Sequence, residues 1–204
     1  MNKIKGITGV VLAGGKSKRM GQDKRFLRWQ GMNLLDSVCG VLNELFDEVI
    51  VVTAVPDYEK GSLPVRFITD DIPNKGSMGG LFSGVRQSQN PYCFAVACDM
   101  PYLNHEVIER ICQSPPADVV VVKLLQGVQP LHARYSKNCL PFLEEMIHGS
   151  NLKIQDLFTD SRISSLILDE AQFSDLDPYC RSFMNVNTPS DWEFARKAQG
   201  NSPS

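Results

Sequence analysis

Leu12-Ala13-Gly14-Gly15-Lys16-Ser17-Lys18-Arg19-Met20-Gly21-Gln22-Asp23-Lys24 directly follows an apolar run over residues 7–12. The run reads as a buried strand, and the segment after it reads as an anion site at the strand's carboxyl end. Glycines let a backbone approach a ligand closely and adopt positive φ. Successive N–H groups in such a turn form a cradle for negative charge. Arg19 can fork onto phosphate oxygens, and Lys24 adds a compact point charge. Leu12, Ala13, Gly14 and Gly15 are therefore candidates to hold a nucleoside triphosphate, with Arg19 and Lys24 on its phosphates. Two other phosphate motifs fail. A Walker A loop ending at Gly15-Lys16-Ser17 would need its first glycine at Val10, inside the strand. The dinucleotide fingerprint G-x-G-x-x-G is absent because Gly14 and Gly15 are adjacent. The competing reading is a glycine turn with solvated basic residues; Arg19, Gly21 and Lys24, in that order, weigh against it.

Working outward, strand-like and helix-like segments alternate. Helical periodicity covers residues 34–46, and a Val/Ile-rich strand covers 48–53. A shorter run at 65–68 leads to Asp70 and Asp71. After the glycine-rich stretch 76–80 a helix is expected through Val85, then a strand at 92–98, a helix at 105–112 and a strand at 118–123. This order predicts βαβ units and a mostly parallel sheet covered on both faces. The last third is less regular: an antiparallel strand at 130–135, a helix at 137–148 ended by Gly149, a short helix at 154–158, and a final helix with Pro189 in its first turn and Thr188 as its cap. Trp192, Phe194 and Ala195 on that helix suggest packing. The length of 204 residues suits a single domain over 1–200 with a frayed tail at 201–204.

Three more features carry chemistry. Cys98-Asp99-Met100-Pro101 ends a strand, and ligands of open α/β sheets collect at the carboxyl ends of strands. A carboxylate there suits Mg²⁺, which takes one or two protein carboxylates and completes its shell with phosphate and water. The competing role for Asp99 is capping the next helix. Asp70-Asp71 precedes Gly76-Ser77-Met78-Gly79-Gly80, where small residues could pass close to a base or ribose and Asp70 could accept a hydrogen bond from the nucleoside. The alternative for Gly79 and Gly80 is tight packing of a helix start, and Asp71 reads as solvated. In Asn185-Val186-Asn187-Thr188-Pro189, alternation on an extended chain puts both amides on one side, where they suit a polar heterocycle or a metal-bound phosphate. The alternative is turn and capping chemistry.

Composition excludes several classes. A formal net charge of −2 argues against a general nucleic-acid binder. No stretch approaches the roughly 20 apolar residues of a membrane span, and the apolar run after Lys5 is too short for a signal peptide, so a cytoplasmic location is expected. None of the six cysteines has C-x-x-C spacing, and buried free thiols are expected. His105, His132 and His148 match no metal spacing. His105 and His148 read as surface residues, while His132 lies beside Gln129 and Pro130 in a possible pocket-lining strand.

Taken together, these motifs resemble the bacterial molybdenum cofactor guanylyltransferases, the MobA family. The matching pieces are LAGGKSKRMGQDK at 12–24, DD…GSMGG at 70–80, CDMP at 98–101 and NVNTPSD at 185–191, in the family's order and across nearly the whole chain. The resemblance implies a Rossmann-like, three-layer α/β nucleotidyltransferase fold with a mostly parallel central sheet. It implies GTP and a molybdopterin cofactor as substrates, with Mg²⁺ as cofactor. It further implies that Leu12, Ala13 and Gly14 hold the nucleotide, Lys24 binds its phosphates, Asp70 sits by the nucleoside, Asp99 holds magnesium, and Asn185 and Asn187 lie on the pterin side. Related cytidylyltransferases carry LAAG and lack the second glycine-rich motif, so Gly14-Gly15 and Gly79-Gly80 favour guanine. The chain departs from the family twice. Its second loop lacks the proline of the usual GPLAG, and Thr53 stands where many relatives have asparagine. The implied reaction is attack of the cofactor's terminal phosphate on the α-phosphate of GTP. The alternatives are a cytidylyltransferase or sugar-phosphate nucleotidyltransferase, and a non-catalytic carrier. Transient contact with cofactor-delivering or molybdoenzyme partners is an expectation with no motif behind it.

Overall fold

The structure, a computed structural model, describes residues 3–14, 27–54 and 63–199. Its centre is a seven-stranded sheet. The strands in chain order are β1 (Ile4–Leu12), β4 (Phe46–Thr53), β5 (Arg66–Thr69), β6 (Tyr92–Ala97), β7 (Val119–Leu124), β8 (Gly127–Ser136) and β9 (Ser165–Asp169); β2 (Arg28–Trp29) and β3 (Met32–Asn33) form a separate small hairpin. The helices are α1 (Leu34–Leu45), α2 (Gly76–Gln87), α3 (His105–Cys112), α4 (Leu140–His148) and α5 (Pro189–Gln199). Across the sheet the order is β5-β4-β1-β6-β8-β7-β9. The β4–β5, β1–β4, β1–β6 and β7–β9 pairings are parallel, and β8 alone runs antiparallel to its neighbours β6 and β7.

Alternation along the strands divides the core between the two faces. Val11, Val49, Val51, Phe94, Val96, Val120 and Val122 pack with α1 and α3. Val10, Leu12, Ile50, Val52, Cys93, Ala95, Val119 and Val121 pack with α2 and α4. Because both faces are covered, the strands read as continuous apolar runs rather than alternating ones. Full burial of each such side chain contributes about 1.5–3 kcal/mol. The result is the three-layer α/β sandwich with a mostly parallel centre that the sequence leads one to expect. A third, smaller cluster joins Leu27, Trp29, Leu34, Val186 and Ala195, with Tyr102, Met184 and Trp192 packed on it, so α5 closes over the β2–β3 hairpin. Phe194 is the exception to the expected packing of α5, standing 64% exposed.

Element boundaries differ from expectation for local reasons. β1 begins at Ile4, since Ile4 already pairs with Phe46 before the ladder is interrupted and resumes at Thr8. α1 stops at Leu45, and Phe46, fully buried, opens β4 instead. α3 spans the expected residues because the Asn104 side chain accepts from the N–H groups of Glu106 and Val107. The expected helix at 137–148 starts with a 3₁₀ turn over Lys137–Cys139 before α4. β8 extends well before residue 130, and β9 and the hairpin had no counterpart in the sequence reading. All six cysteines are free; burial raises the thiol pKa values of Cys39 and Cys139 to about 12. No helix among the described residues is long and apolar enough to cross a membrane.

The stretch 76–80, read as a glycine-rich lead-in, lies inside α2. Glycine weakens a helix by about 1 kcal/mol relative to alanine, so packing must supply the reason for it here. A Cβ on Gly84 would come within 2.4 Å of Val10 Cγ1, and one on Gly80 within 3.3 Å of Leu12 Cδ2. Four helical residues rise about 6 Å and two strand residues about 6.6 Å. The two glycines therefore sit in register over Val10 and Leu12, and α2 can lie directly on β1.

Asp118 fastens the opposite end of the β7–β8–β9 group. It accepts hydrogen bonds from Ser136 Oγ (2.9 Å), Asn138 Nδ2 (2.9 Å) and Ser164 Oγ (2.7 Å). Partial burial opposes its charge, but these bonds outweigh it and hold the carboxyl at about 2.

Gly84→Ala is expected to lower stability by about 1–3 kcal/mol, because the added methyl overpacks against β1. Gly40→Ala, in α1 with nothing within 4 Å of the new Cβ, should instead raise it by about 0.5–1 kcal/mol. Urea unfolding of the two variants reads the opposite signs; a stable Gly84→Ala protein would refute the packing account of α2.

Candidate active site

The parallel strands end together, and their carboxyl ends bring most of the sequence-predicted residues onto one edge of the sheet. Leu12 pairs with Val52 on one side and Ala97 on the other. The ladder continues one step further on each side: Ala13 N–H donates to the Val52 carbonyl at 2.8 Å, and Cys98 N–H donates to the Leu12 carbonyl at 3.1 Å. Gly14 follows and is exposed, with Ala54 N 3.2 Å from where its Cβ would be. Residues 15–26 lie outside the described residues, and with them Gly15, Arg19 and Lys24. The chain re-enters at Leu27, whose carbonyl accepts from Leu34 N–H at 2.8 Å and whose side chain is buried beside Val186. The described chain thus resumes, at Leu27, next to the asparagine segment.

Asp70 extends β5 at the same edge, its N–H donating to the Thr53 carbonyl at 2.9 Å. Its Oδ1 accepts from Ile72 N–H (3.0 Å) and from Ser83 Oγ (2.9 Å). The Ser83 hydroxyl oxygen in turn accepts Asp71 N–H at 2.9 Å. Asp70 therefore ties the end of β5 to the middle of α2, a structural task that the sequence did not suggest. Gly79 is needed for this geometry. A Cβ on it would stand 2.7 Å from the Ile72 carbonyl oxygen and 2.9 Å from Asp70 Oδ2. The glycine identities of Gly79 and Gly80 thus answer to close packing, one against the Asp70 turn and the other against Leu12. Thr53 is buried, and its hydroxyl donates to the Ile68 carbonyl at 3.3 Å.

Asp99 follows β6 and is half-buried. It does not cap α3, a role filled by Asn104. Its carbonyl oxygen accepts Val186 N–H at 2.9 Å, which ties the Asn185–Val186–Asn187 segment to the end of β6. Val186 is fully buried, Asn185 half-buried and Asn187 exposed, so the asparagines flank an inward-pointing valine. Capping chemistry is present too, and it takes in the Asn187 backbone. Asp191 Oδ2 accepts from Asn187 N–H (2.9 Å) and Thr188 N–H (2.8 Å), while Thr188 Oγ1 accepts Asp191 N–H (3.2 Å). This reciprocal pair starts α5, and the pattern Thr188-x-x-Asp191 is readable in the sequence.

The histidines divide. His148 is exposed, as expected, whereas His105, expected at the surface, is half-buried with Nε2 2.9 Å from Glu44. His132 is no pocket-lining residue: it is completely buried, 4.4 Å from the Phe183 ring and 5.3 Å from Phe94 between centroids. Burial pushes its pKa down to about 3, so the ring is neutral. Among the described residues no group of three or more His, Cys, Asp or Glu could hold a metal ion. The carboxylates here belong to separate strand ends, Asp70 after β5 and Asp99 after β6.

With this geometry in view, the comparisons with known proteins agree. The family described as "MobA-like NTP transferase domain" matches residues 9–162. A protein of Natranaerobius thermophilus named "Probable molybdenum cofactor guanylyltransferase" is 32% identical over 202 residues, covering 95% of this chain and 97% of the relative. One of the same name from Pelotomaculum thermopropionicum is 37% identical over 197 residues, 96% of this chain and 94% of its own. Among solved structures, the molybdopterin-guanine dinucleotide biosynthesis protein A of Archaeoglobus fulgidus superposes with a TM-score of 0.81 over 96% of this chain and 100% of that one; at 24% identity this is a likeness of fold. The sheet, its loaded carboxyl edge and these matches lead to one conclusion: the chain belongs to the MobA-like NTP transferase family.

Proposed function

We propose that this protein transfers GMP from GTP to the terminal phosphate of a molybdopterin cofactor, forming molybdopterin guanine dinucleotide and releasing pyrophosphate. The observation that carries the reading is the gathering of Leu12–Gly14, Asp70, the start of α2, Asp99 and the Asn185–Asn187 segment on one sheet edge. The names of the full-length relatives support the substrates.

In this reading the nucleotide lies over the end of β1, held by Leu12, Ala13, Gly14 and Gly15. Asp70 and the α2 start with Gly79 and Gly80 stand on its nucleoside side. Lys24 and Arg19 meet the phosphates from the basic segment. Asn185 and Asn187 face the pterin. Asp99 fits Mg²⁺ by chemistry and position: it is a half-buried carboxylate at a strand end, beside the place where phosphates would supply the remaining oxygen ligands. The bound ion would neutralise charge on the α-phosphate and on the departing pyrophosphate.

The acceptor phosphate is already an anion, so no general base is required. Its oxygen forms a new bond to the α-phosphorus of GTP, the bond from that phosphorus to the β-phosphate bridging oxygen breaks, and pyrophosphate leaves with those electrons. The protein's contribution is alignment of two phosphates and preorganised positive charge. No side chain becomes covalently modified.

Pyrophosphate release in the presence of Mg²⁺ and molybdopterin cofactor is expected with GTP and not with CTP. Preference for CTP would move the protein to the cytidylyl branch, and no release with either would favour a binding role. Lys24→Ala should lower turnover by about 100-fold or more, the loss typical of removing one preorganised charge donor, with an unchanged melting temperature; near-normal turnover would remove Lys24 from the phosphates. Asp99→Ala should raise the Mg²⁺ concentration for half-maximal rate by at least about tenfold. An unchanged metal titration would show that another group holds the ion.

A further inference from the structure

The segment carrying Asn185 and Asn187 has no regular secondary structure, yet it must hold two side chains still against the end of β6. It is fixed at three places. The Asp99 carbonyl takes Val186 N–H, and the Asp191 carboxylate takes Asn187 and Thr188 N–H. The third fixture lies upstream and belongs to a residue that no motif singled out. Asp177 is 8% exposed. Its Oδ1 accepts Arg181 N–H at 2.9 Å, and its Oδ2 accepts both Ser182 N–H and Ser182 Oγ at 2.7 Å.

These three bonds close the loop 177–182 on itself. The loop contains Cys180 in the left-handed region (φ 51°), a conformation that a non-glycine residue keeps only where its surroundings impose it. The loop sets the 3₁₀ turn Arg181–Phe183, and with it the entry of the chain into Met184 and Asn185. Phe183, next to the clamped Ser182, is wedged between the buried His132 ring (4.4 Å) and Phe173 (6.1 Å). The neutral His132 therefore supports the far side of the turn that Asp177 pulls closed.

We infer that Asp177 is a positioning residue for the acceptor side of the reaction: its carboxylate holds the 181–183 turn and so sets Asn185 and Asn187 beside Asp99. This rests on the proposed function and on the pterin-side assignment of the two asparagines. The carboxylate is matched to the task, because it accepts three donors at once from two consecutive residues. Asparagine, of the same shape, has one oxygen to offer and turns an NH₂ group toward the other donors. The nucleotide side, built on β1, β5 and α2, shares none of these bonds.

The test is steady-state GMP transfer by the full-length protein, with the KM for molybdopterin and the KM for GTP measured separately. Asp177→Asn is expected to raise the acceptor KM about tenfold and leave the GTP KM within twofold. Ser182→Ala, which removes only the hydroxyl, should shift the acceptor KM in the same direction by two- to threefold, and it decides alone if Asp177→Asn does not fold. In a background of Asn185→Ala and Asn187→Ala the effect of either substitution should largely vanish, since Asp177 acts through those side chains. An unchanged acceptor KM in the folded variants would overturn the inference. So would an equal rise in both KM values, the mark of a general structural role, or full additivity with the asparagine substitutions. Absence of GMP transfer by the unsubstituted protein would be a different failure, that of the proposed function, and would take this inference with it.

Discussion

The molecule depends on β1 being bonded on both sides by parallel strands that finish level with it. Leu12 pairs with Val52 and Ala97, and the next residues still bond across, Ala13 to Val52 and Cys98 to Leu12. Parallel pairing leaves all the carboxyl ends at one edge, and each chain must leave the sheet there as a loop. The loops after β1, β5 and β6 are therefore neighbours by construction, although they start at residues 13, 70 and 98 of the chain. A site assembled this way needs no long-range recognition between its parts beyond that which pairs the strands.

Close approach of α2 to β1 is the second requirement, and it explains a composition that local propensity would reject. Gly79, Gly80 and Gly84 weaken the helix, but each removes a side chain where the backbone of another element or a strand side chain must pass. The gain is a helix lying directly on Val10 and Leu12, with its first turn beside the Asp70 turn. Asp70 serves the fold, since Ser83 and Ile72 both bond its Oδ1. Oδ1 alone makes both of these bracing bonds.

The Asn185–Asn187 segment is built differently. Carboxylates and backbone bonding hold it rather than a sheet ladder: Asp177 fixes Arg181 and Ser182, Asp191 fixes Asn187 and Thr188, and the Asp99 carbonyl takes Val186 N–H. Hydrogen bonds to charged acceptors are about twice as strong as neutral ones, which suits a short segment that must stay ordered without regular structure. Beneath it lie the aromatic contacts of Phe183 with His132 and Phe173, and the third apolar cluster around Trp29 and Val186.

The layered fold and most of the residues at this edge were legible in the chain. Val/Ile-rich runs of strand length, alternating with helical periodicity, admit few arrangements besides a buried parallel sheet, and the glycine loop, Asp70 and Asp99 each directly follow such a run. α3 spans the residues expected of it, and its observed cap, Asn104, is a local interaction. Two-residue strands such as β2 and β3 carry no periodicity, and the edge strand β9 is too short to declare itself. The roles of Gly79, Gly80 and Gly84 depend on what lies opposite them, and so does the burial of His132, which looks like a polar strand residue until Phe94 and Phe183 close on it. Asp177 is the clearest case. Its partners are only a few residues away, but nothing in the chain says that the loop folds back on its carboxylate; that follows from its burial beside the packed Phe183 turn. Patterns that act within one turn or one strand are written in the sequence, whereas contacts made by exclusion of water appear only once the layers have packed.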